Sequence, residues 1–216
     1  MDAVLGKSEV HTNAKWRTRN KIMIVGGLIA NIPDIDIFIN QIIPRERPID
    51  QFLFHRGYTH TILFALIAAL LVGWWGAKKD RARRPLRRWI LATFLTIAIG
   101  HLFVDFMTNY GIRFLLPFSD ATLSLNNIFV IDLIYSIPLI ILWFIYVFVK
   151  KHATRRIIKT ISRVWLIVYP LFSFIMQHHA KSIFINSLDA QSISHSRVFT
   201  TSEPLQVFLW HGVVQS

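Results

Sequence analysis

The sequence predicts an all-α, multi-pass transmembrane helical bundle of about five membrane segments, the first broken or re-entrant, with a short β-leaning outward tail. Three observations support this fold class. Hydrophobic residues make up 53% of the 216 residues, above the roughly 45–50% that is usual in soluble domains. They gather in runs close to the ~20 residues that cross a bilayer as a helix. The basic residues gather between alternate runs, which is typical of inner-membrane proteins.

The first apolar run, residues 22–43, contains Pro33 with Asp34 and Asp36 in its middle. Proline removes a backbone donor and disfavours helix at the residue before it. Carboxylates are costly within a bilayer. We therefore predict a broken or re-entrant element here rather than a continuous helix.

Four further membrane segments follow, at residues 61–77, 89–107, 128–149 and 164–176. The second and third of these are long enough to span. The first is slightly short but carries no charge. The last is long enough to span the membrane if Arg163 extends its side chain to the interface. The tail contains two β-leaning stretches, 196–203 and 205–214. We predict a transmembrane metal-site domain over 1–177 and an outward tail over 178–216, where a soluble region starts.

The distribution of basic residues predicts the orientation. Residues 1–21, 78–88 and 150–163 hold 18 of the 24 Lys and Arg residues and alternate with nearly neutral connections. The positive-inside rule then places the N-terminus in the cytoplasm and the C-terminus outside. The net charge of +12 is explained by anionic membrane lipid as the partner. Aromatic and basic residues are not interleaved along the chain as they are in nucleic-acid-binding segments, so nucleic acid is not the expected partner.

Three pairs of ionisable residues lie in or beside the apolar runs, where such groups indicate a functional site. They are Asp34 with Asp36, His55 with His60, and His101 with Asp105. On the predicted topology all three pairs reach the outer face at a similar depth. The last pair is separated by four residues, so its members share one face of a helix.

These residue types favour a divalent metal. The chain has no cysteine, which leaves histidine and carboxylate as ligands. The predicted cofactor is zinc, with manganese or magnesium as alternatives, as one or two ions. The predicted chemistry is attack on the substrate by a metal-activated water, with His55 or His60 as proton carrier. Arg56 or Arg113 would receive a phosphate group.

Each group also has a structural interpretation. Asp34 and Asp36 could cap a helix that restarts after the proline. A histidine at a membrane interface is often only hydrogen-bonded, and His101 with Asp105 could form a structural pair. Asp132, near the start of the fourth segment, is interpreted as structural. His178 and His179 would lie just outside the fifth segment, and at most one could be a ligand because neighbours on a helix point about 100° apart.

The motifs NIPDID (31–36), HRGYTH (55–60), GHLFVDFMTNYGIR (100–113), LPFS (116–119) and WHGVV (210–214) occur in that order. Together they resemble a bacterial family of LexA-regulated inner-membrane proteins described as metal-dependent hydrolases. The resemblance covers roughly residues 5–215. It implies an inner-membrane location, and it implies that all six residues of the three pairs bind metal.

Two departures from that family pattern bear on the site. Members usually begin with a small-residue helix that carries an early Thr-His pair, and many continue into an outward domain. This chain is therefore expected either to be shortened at both ends or to have a misplaced start. Thr61 stands where the family usually has serine.

Three functions fit this pattern. The leading hypothesis is a membrane-bound hydrolase that acts at the outer face of the inner membrane on a lipid-linked phosphoester or another small substrate. A metal-ion or proton transporter would use the same acids and histidines, but it would also need polar groups in the inner halves of the helices. A non-catalytic scaffold would hold a structural metal in a closed ligand sphere. The substrate, the metal and the oligomeric state are not determined by the sequence.

Overall fold

The computed structural model describes residues 18, 20–38, 56–80 and 84–215. Within them the fold is helical, with one small sheet, as predicted. The elements are α1 Asn20–Ala30, α2 Ile62–Lys79, α3 Leu86–Met107, α4 Leu133–Phe148, α5 His152–Ala190, β1 Arg197–Ser202 and β2 Trp210–Gln215. Among the described helices, α2, α3 and α5 are long and apolar enough to cross a membrane, while α1 and α4 are shorter apolar helices.

The first apolar run is broken, as its proline predicts. Helix α1 ends at Ala30, and the Asn31 side-chain amide donates to the Gly27 carbonyl at 2.8 Å. A short 3-10 helix, Pro33–Ile35, follows with the buried Pro33 at its first position. A proline is tolerated there because the amide of that position has no intrahelical partner.

Residues 21–106 and 110–124 form one compact unit. In it α2 and α3 pack closely, because Gly73 has no side chain. A Cβ on Gly73 would lie 2.8 Å from the Ile90 backbone. Small residues allow membrane helices to approach in this way. The core of the unit consists of Ala65, Ala68, Ile97, Leu102 and Ile112.

Helix α3 contains a π turn at Ala98–Leu102, where the Phe103 amide donates to the Ala98 carbonyl five residues earlier. Such turns are rare and occur frequently at functional sites. His101 lies within this one.

Residues 107–109 and the described part of 125–216 belong to a second compact unit. Its helices differ from the prediction. Helix α4 begins at Leu133 rather than at residue 128, because residues 125–128 are non-helical, with Asn126 at a φ of +54°, and are hydrogen-bonded to α5. Ser173 donates to the Asn127 carbonyl, and Gln177 donates to the Asn126 carbonyl at 2.8 Å.

Helix α5 extends far beyond the predicted segment 164–176 at both ends. Hydropathy marked only its apolar part, and the polar residues on either side continue the helix. His178 and His179 therefore lie inside α5, not beyond it, which corrects the prediction. The predicted boundary after residue 177 also falls within α5, and a separate outward tail stays a prediction.

The β-leaning tail forms an antiparallel hairpin of β1 and β2, with Val198 opposite Val214. The second strand begins at Trp210, later than predicted. The side chain of Gln206 accepts hydrogen bonds from the Phe208 and Leu209 amides at 2.5 and 2.8 Å and so holds the preceding residues in a turn.

Asp132 has the structural role predicted for it. Its buried carboxylate accepts from the Tyr135 amide at 3.0 Å, which caps α4, and from the Tyr169 hydroxyl at 2.7 Å. Asp132→Ala removes a cap worth about 1 kcal/mol. It also leaves a buried hydroxyl unsatisfied, at roughly 1–3 kcal/mol. We expect the thermal unfolding midpoint in detergent to fall by about 5–10 °C. Asp120→Ala, at an exposed carboxylate, is the control and should leave the midpoint unchanged.

Candidate metal centre

Three turns of the first unit supply the candidate ligands. Asp34 lies in the 3-10 helix Pro33–Ile35, His60 ends the 3-10 helix Tyr58–His60, and His101 lies in the π turn of α3. Each turn departs from regular α-helix. The turns therefore present side chains that a continuous helix would direct elsewhere.

Thr61 fixes the position of His60. Its hydroxyl donates to the Tyr58 carbonyl at 2.9 Å and accepts from the Phe64 amide at 3.0 Å, which caps α2. The helix therefore starts at Ile62, and His60 remains in the turn before it. Serine and threonine are both N-cap residues, so Thr61 preserves the local structure that the family's serine would give.

Asp34, His60 and His101 form the Asp-His-His cluster. The Nε2 atoms of His60 and His101 are 3.2 Å apart. The Asp34 Oδ1 atom lies 3.3 Å from each of them. A tetrahedron with metal–ligand bonds of 2.0–2.1 Å has edges of about 3.3 Å. The three atoms are therefore spaced like one face of a tetrahedral zinc site.

The donor set and the burial fit a metal as well as the distances do. Two imidazoles and one carboxylate are the protein ligands of one established class of catalytic zinc site. The His60 side chain is fully buried, that of His101 is 10% exposed and that of Asp34 is 30% exposed. The cluster is therefore anchored in the core on one side and accessible at the Asp34 carboxylate.

Asp105 adjoins the cluster on the same face of α3 as His101, as the four-residue spacing predicts. Its Oδ2 atom lies 3.4 Å from His60 Nε2 and 3.6 Å from His101 Nε2. Its Oδ1 atom lies 3.6 Å from an Arg56 nitrogen. The carboxylate thus faces the cluster with one oxygen and contacts a buried guanidinium with the other.

Arg56 is buried, and its guanidinium also donates to the Gly111 carbonyl at 3.2 Å and lies over the Tyr110 ring. These contacts connect the turn before α2 to the segment after α3. The structure thus places Arg56 where it supports Asp105, and its role in binding a phosphate stays a prediction. Arg113 is half-buried in the same segment, and its phosphate role is equally a prediction.

Asp36 lies apart from the cluster, on the other side of the His60 ring. Its fully buried carboxylate accepts from the Thr59 hydroxyl at 2.6 Å and lies 3.9 Å from His60 Nδ1. Two residues in a 3-10 turn are separated by about 240°, so Asp34 and Asp36 point in different directions. The prediction of Asp36 as a direct ligand has no support in this arrangement. Thr59 was missed by sequence reasoning, and its only signal is its place directly before His60.

Two other predictions concern residues elsewhere. His55 lies outside the described residues, so its roles as ligand and proton carrier stay predictions. His178 belongs to the second unit, and its Nδ1 atom contacts the Phe174 carbonyl at 2.9 Å. Among the residues that the structure describes, the ligand atoms of Asp34, His60 and His101 lie within 4.8 Å of one another, and Asp105 Oδ2 lies within 3.6 Å of both imidazoles.

Comparison with known proteins identifies the family. The sequence model of the YdjM inner membrane protein family matches residues 3–180, which include every candidate ligand. No curated protein and no solved structure matches the chain. The match confirms the bacterial inner-membrane family expected from the motifs, and the apolar helices agree with a membrane location. The chain belongs to the YdjM inner membrane protein family.

Proposed function

We propose that this protein is a membrane-bound metal-dependent hydrolase whose ion, most simply zinc, is held by the Asp-His-His cluster. The observation that carries the proposal is the spacing of the three ligand atoms, 3.2–3.3 Å. A divalent ion bound by such ligands supplies Lewis-acid polarisation of a substrate oxygen and activates water near neutral pH.

The cluster has three ligands among the described residues, and this number supports catalysis over a structural metal. Structural zinc sites are closed by four protein ligands, whereas catalytic sites use three and keep one position open. Asp34 is the most exposed of the three side chains, so a substrate would approach on its side. Asp105 Oδ2, beside both imidazoles, would accept the proton released from the attacking water, while Arg56 keeps that carboxylate oriented.

The depth of the cluster supports a lipid-linked phosphoester as the substrate class. Helix α3 has 22 residues and is about 33 Å long, close to the ~30 Å thickness of the hydrocarbon core. His101 is six residues from its last residue, or about 9 Å along the axis. The cluster would therefore lie near the boundary between lipid tails and headgroups.

The surface beside the cluster agrees with an interfacial position. Tyr58 is 64% exposed and Phe118 is 87% exposed. The amide of Ile62 donates to the Phe114 carbonyl at 3.1 Å, which holds this segment at the start of α2. Exposed aromatic residues at a helix end are typical of the membrane interface. With the positive-inside pattern, they support a site at the outer face and a cytoplasmic N-terminus.

The proposal is tested by elemental analysis of the purified protein in detergent. We expect a stoichiometric divalent metal in the wild type, and its loss in Asp34→Ala and His101→Ala. His152→Ala, at an exposed histidine of α5, is the matched control and should keep the metal. Hydrolysis of lipid phosphoesters should stop on chelation and return on adding zinc. A folded wild type that takes up no metal on reconstitution would rule the proposal out.

A further inference from the structure

We propose that Asp36 and Thr59 form a positioning relay that sets the tautomer of His60, so that the Nε2 lone pair faces the metal position. The relay consists of Asp36, Thr59 and His60, linked by hydrogen bonds in that order. It assigns a role to Thr59 and changes the role of Asp36 from ligand to positioning residue. The role of this relay in metal binding rests on the proposed function.

The first link commits the only proton of the Thr59 hydroxyl. The Asp36 carboxylate is fully buried and lies 2.6 Å from Thr59 Oγ1. The hydroxyl donates to the carboxylate in this contact, and a hydroxyl has one proton to donate. The Thr59 proton therefore points to Asp36, and the lone pairs of Oγ1 remain for other donors.

The second link follows from the first. His60 Nδ1 lies 3.1 Å from Thr59 Oγ1. Because the hydroxyl proton is already donated, Nδ1 must supply the proton of this hydrogen bond. A neutral imidazole has one N–H group, so Nε2 then has a lone pair. Nε2 is the atom that lies 3.2 Å from His101 Nε2.

The relay opposes a competing tautomer that the site would otherwise favour. His60 Nε2 lies 3.3 Å from Asp34 Oδ1 and 3.4 Å from Asp105 Oδ2. Two carboxylates at these distances favour a proton on Nε2, which would block metal binding there. A buried carboxylate that acts through a hydroxyl on the opposite nitrogen favours the tautomer that binds metal. Partners of this kind fix ring orientation and raise ligand basicity.

Three variants of the full chain test the relay through metal affinity, measured by competition with a chelator. Thr59→Val keeps the side-chain shape but removes the hydroxyl, and we expect 10–100-fold weaker binding. Asp36→Leu should weaken it at least as much, because the Thr59 hydroxyl then has no carboxylate to receive its proton and can donate to Nδ1 instead. Thr59→Ser should restore affinity to within a few fold of the wild type. Thr96→Val is the control, since the Thr96 hydroxyl donates to the Ala92 carbonyl of its own helix at 2.7 Å.

A second measurement reads the tautomer without metal or activity. In the metal-stripped protein labelled with ¹⁵N-histidine, His60 should show a protonated Nδ1 and an unprotonated Nε2, with the assignment made against His60→Asn. Asp36→Leu should reverse the two nitrogens. A protonated Nε2 in the wild type, or equal metal affinity in Thr59→Val and Thr59→Ser, would overturn the relay. The expected tautomer and tight metal binding without hydrolysis would instead count against the proposed hydrolase and leave the relay standing.

Discussion

His60→Ala is expected to abolish stoichiometric metal binding and to lower the rate of hydrolysis by about 10³-fold or more. His60 is the fully buried member of the Asp-His-His cluster and contacts the carboxylates of Asp34 and Asp105 and the His101 imidazole. Metal ions supply several kcal/mol of transition-state stabilisation, and each 1.36 kcal/mol is a factor of ten in rate. Losing the central ligand should therefore remove nearly all metal-dependent turnover.

A loss of folding must be separated from the loss of metal. His60→Ala also leaves a cavity, so its unfolding midpoint is compared with that of the metal-stripped wild type. His60→Asn fills more of the space and should also fail to bind metal while unfolding closer to the wild type. Wild-type metal content and turnover in both variants would show that the ion, if any, is bound elsewhere.

Gly111→Ala is expected to lower the unfolding midpoint by about 5–10 °C and to reduce turnover. Gly111 has a φ of +65°, a conformation that costs other residues roughly 1–2 kcal/mol. A Cβ there would also lie 2.6 Å from the Leu123 carbonyl oxygen, which is backbone and cannot move aside freely. The Gly111 carbonyl accepts from Arg56, so its displacement would disturb the orientation of Asp105.

Gly27→Ala provides the matched comparison in the same unit. Gly27 lies inside α1, and a Cβ there would meet nothing within 4 Å. Alanine is favoured over glycine in a helix by about 1 kcal/mol, so the midpoint should stay or rise slightly. If the two variants had equal midpoints and equal turnover, the segment after α3 would not be the support for Arg56 and Asp105 that its contacts indicate.

Much of the site could be predicted because the signals are local in the sequence. Pro33 marks the break in the first apolar run, and the spacing of His101 and Asp105 gives a shared helix face. The charge pattern predicts the direction in which each segment crosses the membrane, and this predicted topology brings Asp34 and His60 to the same end as His101. The fully buried His60 and the 3.3 Å contacts of the cluster agree with that prediction.

The features that were not predicted depend on contacts between residues that lie far apart in the sequence. Asp34 and Asp36 are the same residue type two positions apart. Only the geometry of the turn directs Asp34 to the Asp-His-His cluster and Asp36 to Thr59. The phosphate role of Arg56 stays a prediction, and its burial against Asp105 and Gly111 could not be predicted from the sequence. The length of α5 was underestimated because hydropathy detects membrane-compatible residues and not helix as such.

The π turn in α3 has a consequence for how this protein could diversify. A wide turn contains an additional residue, and one residue corresponds to about 100° of rotation along a helix. The part of α3 before Ala98, with Ile97 buried in the core, is thereby set out of phase with Asp105, while His101 lies within the turn itself. Changes in lipid-facing or packing residues before Ala98 can therefore accumulate without rotating the chemical groups. Substitutions beyond Leu102 can likewise alter the groups beside the Asp-His-His cluster while the helix pair stays intact.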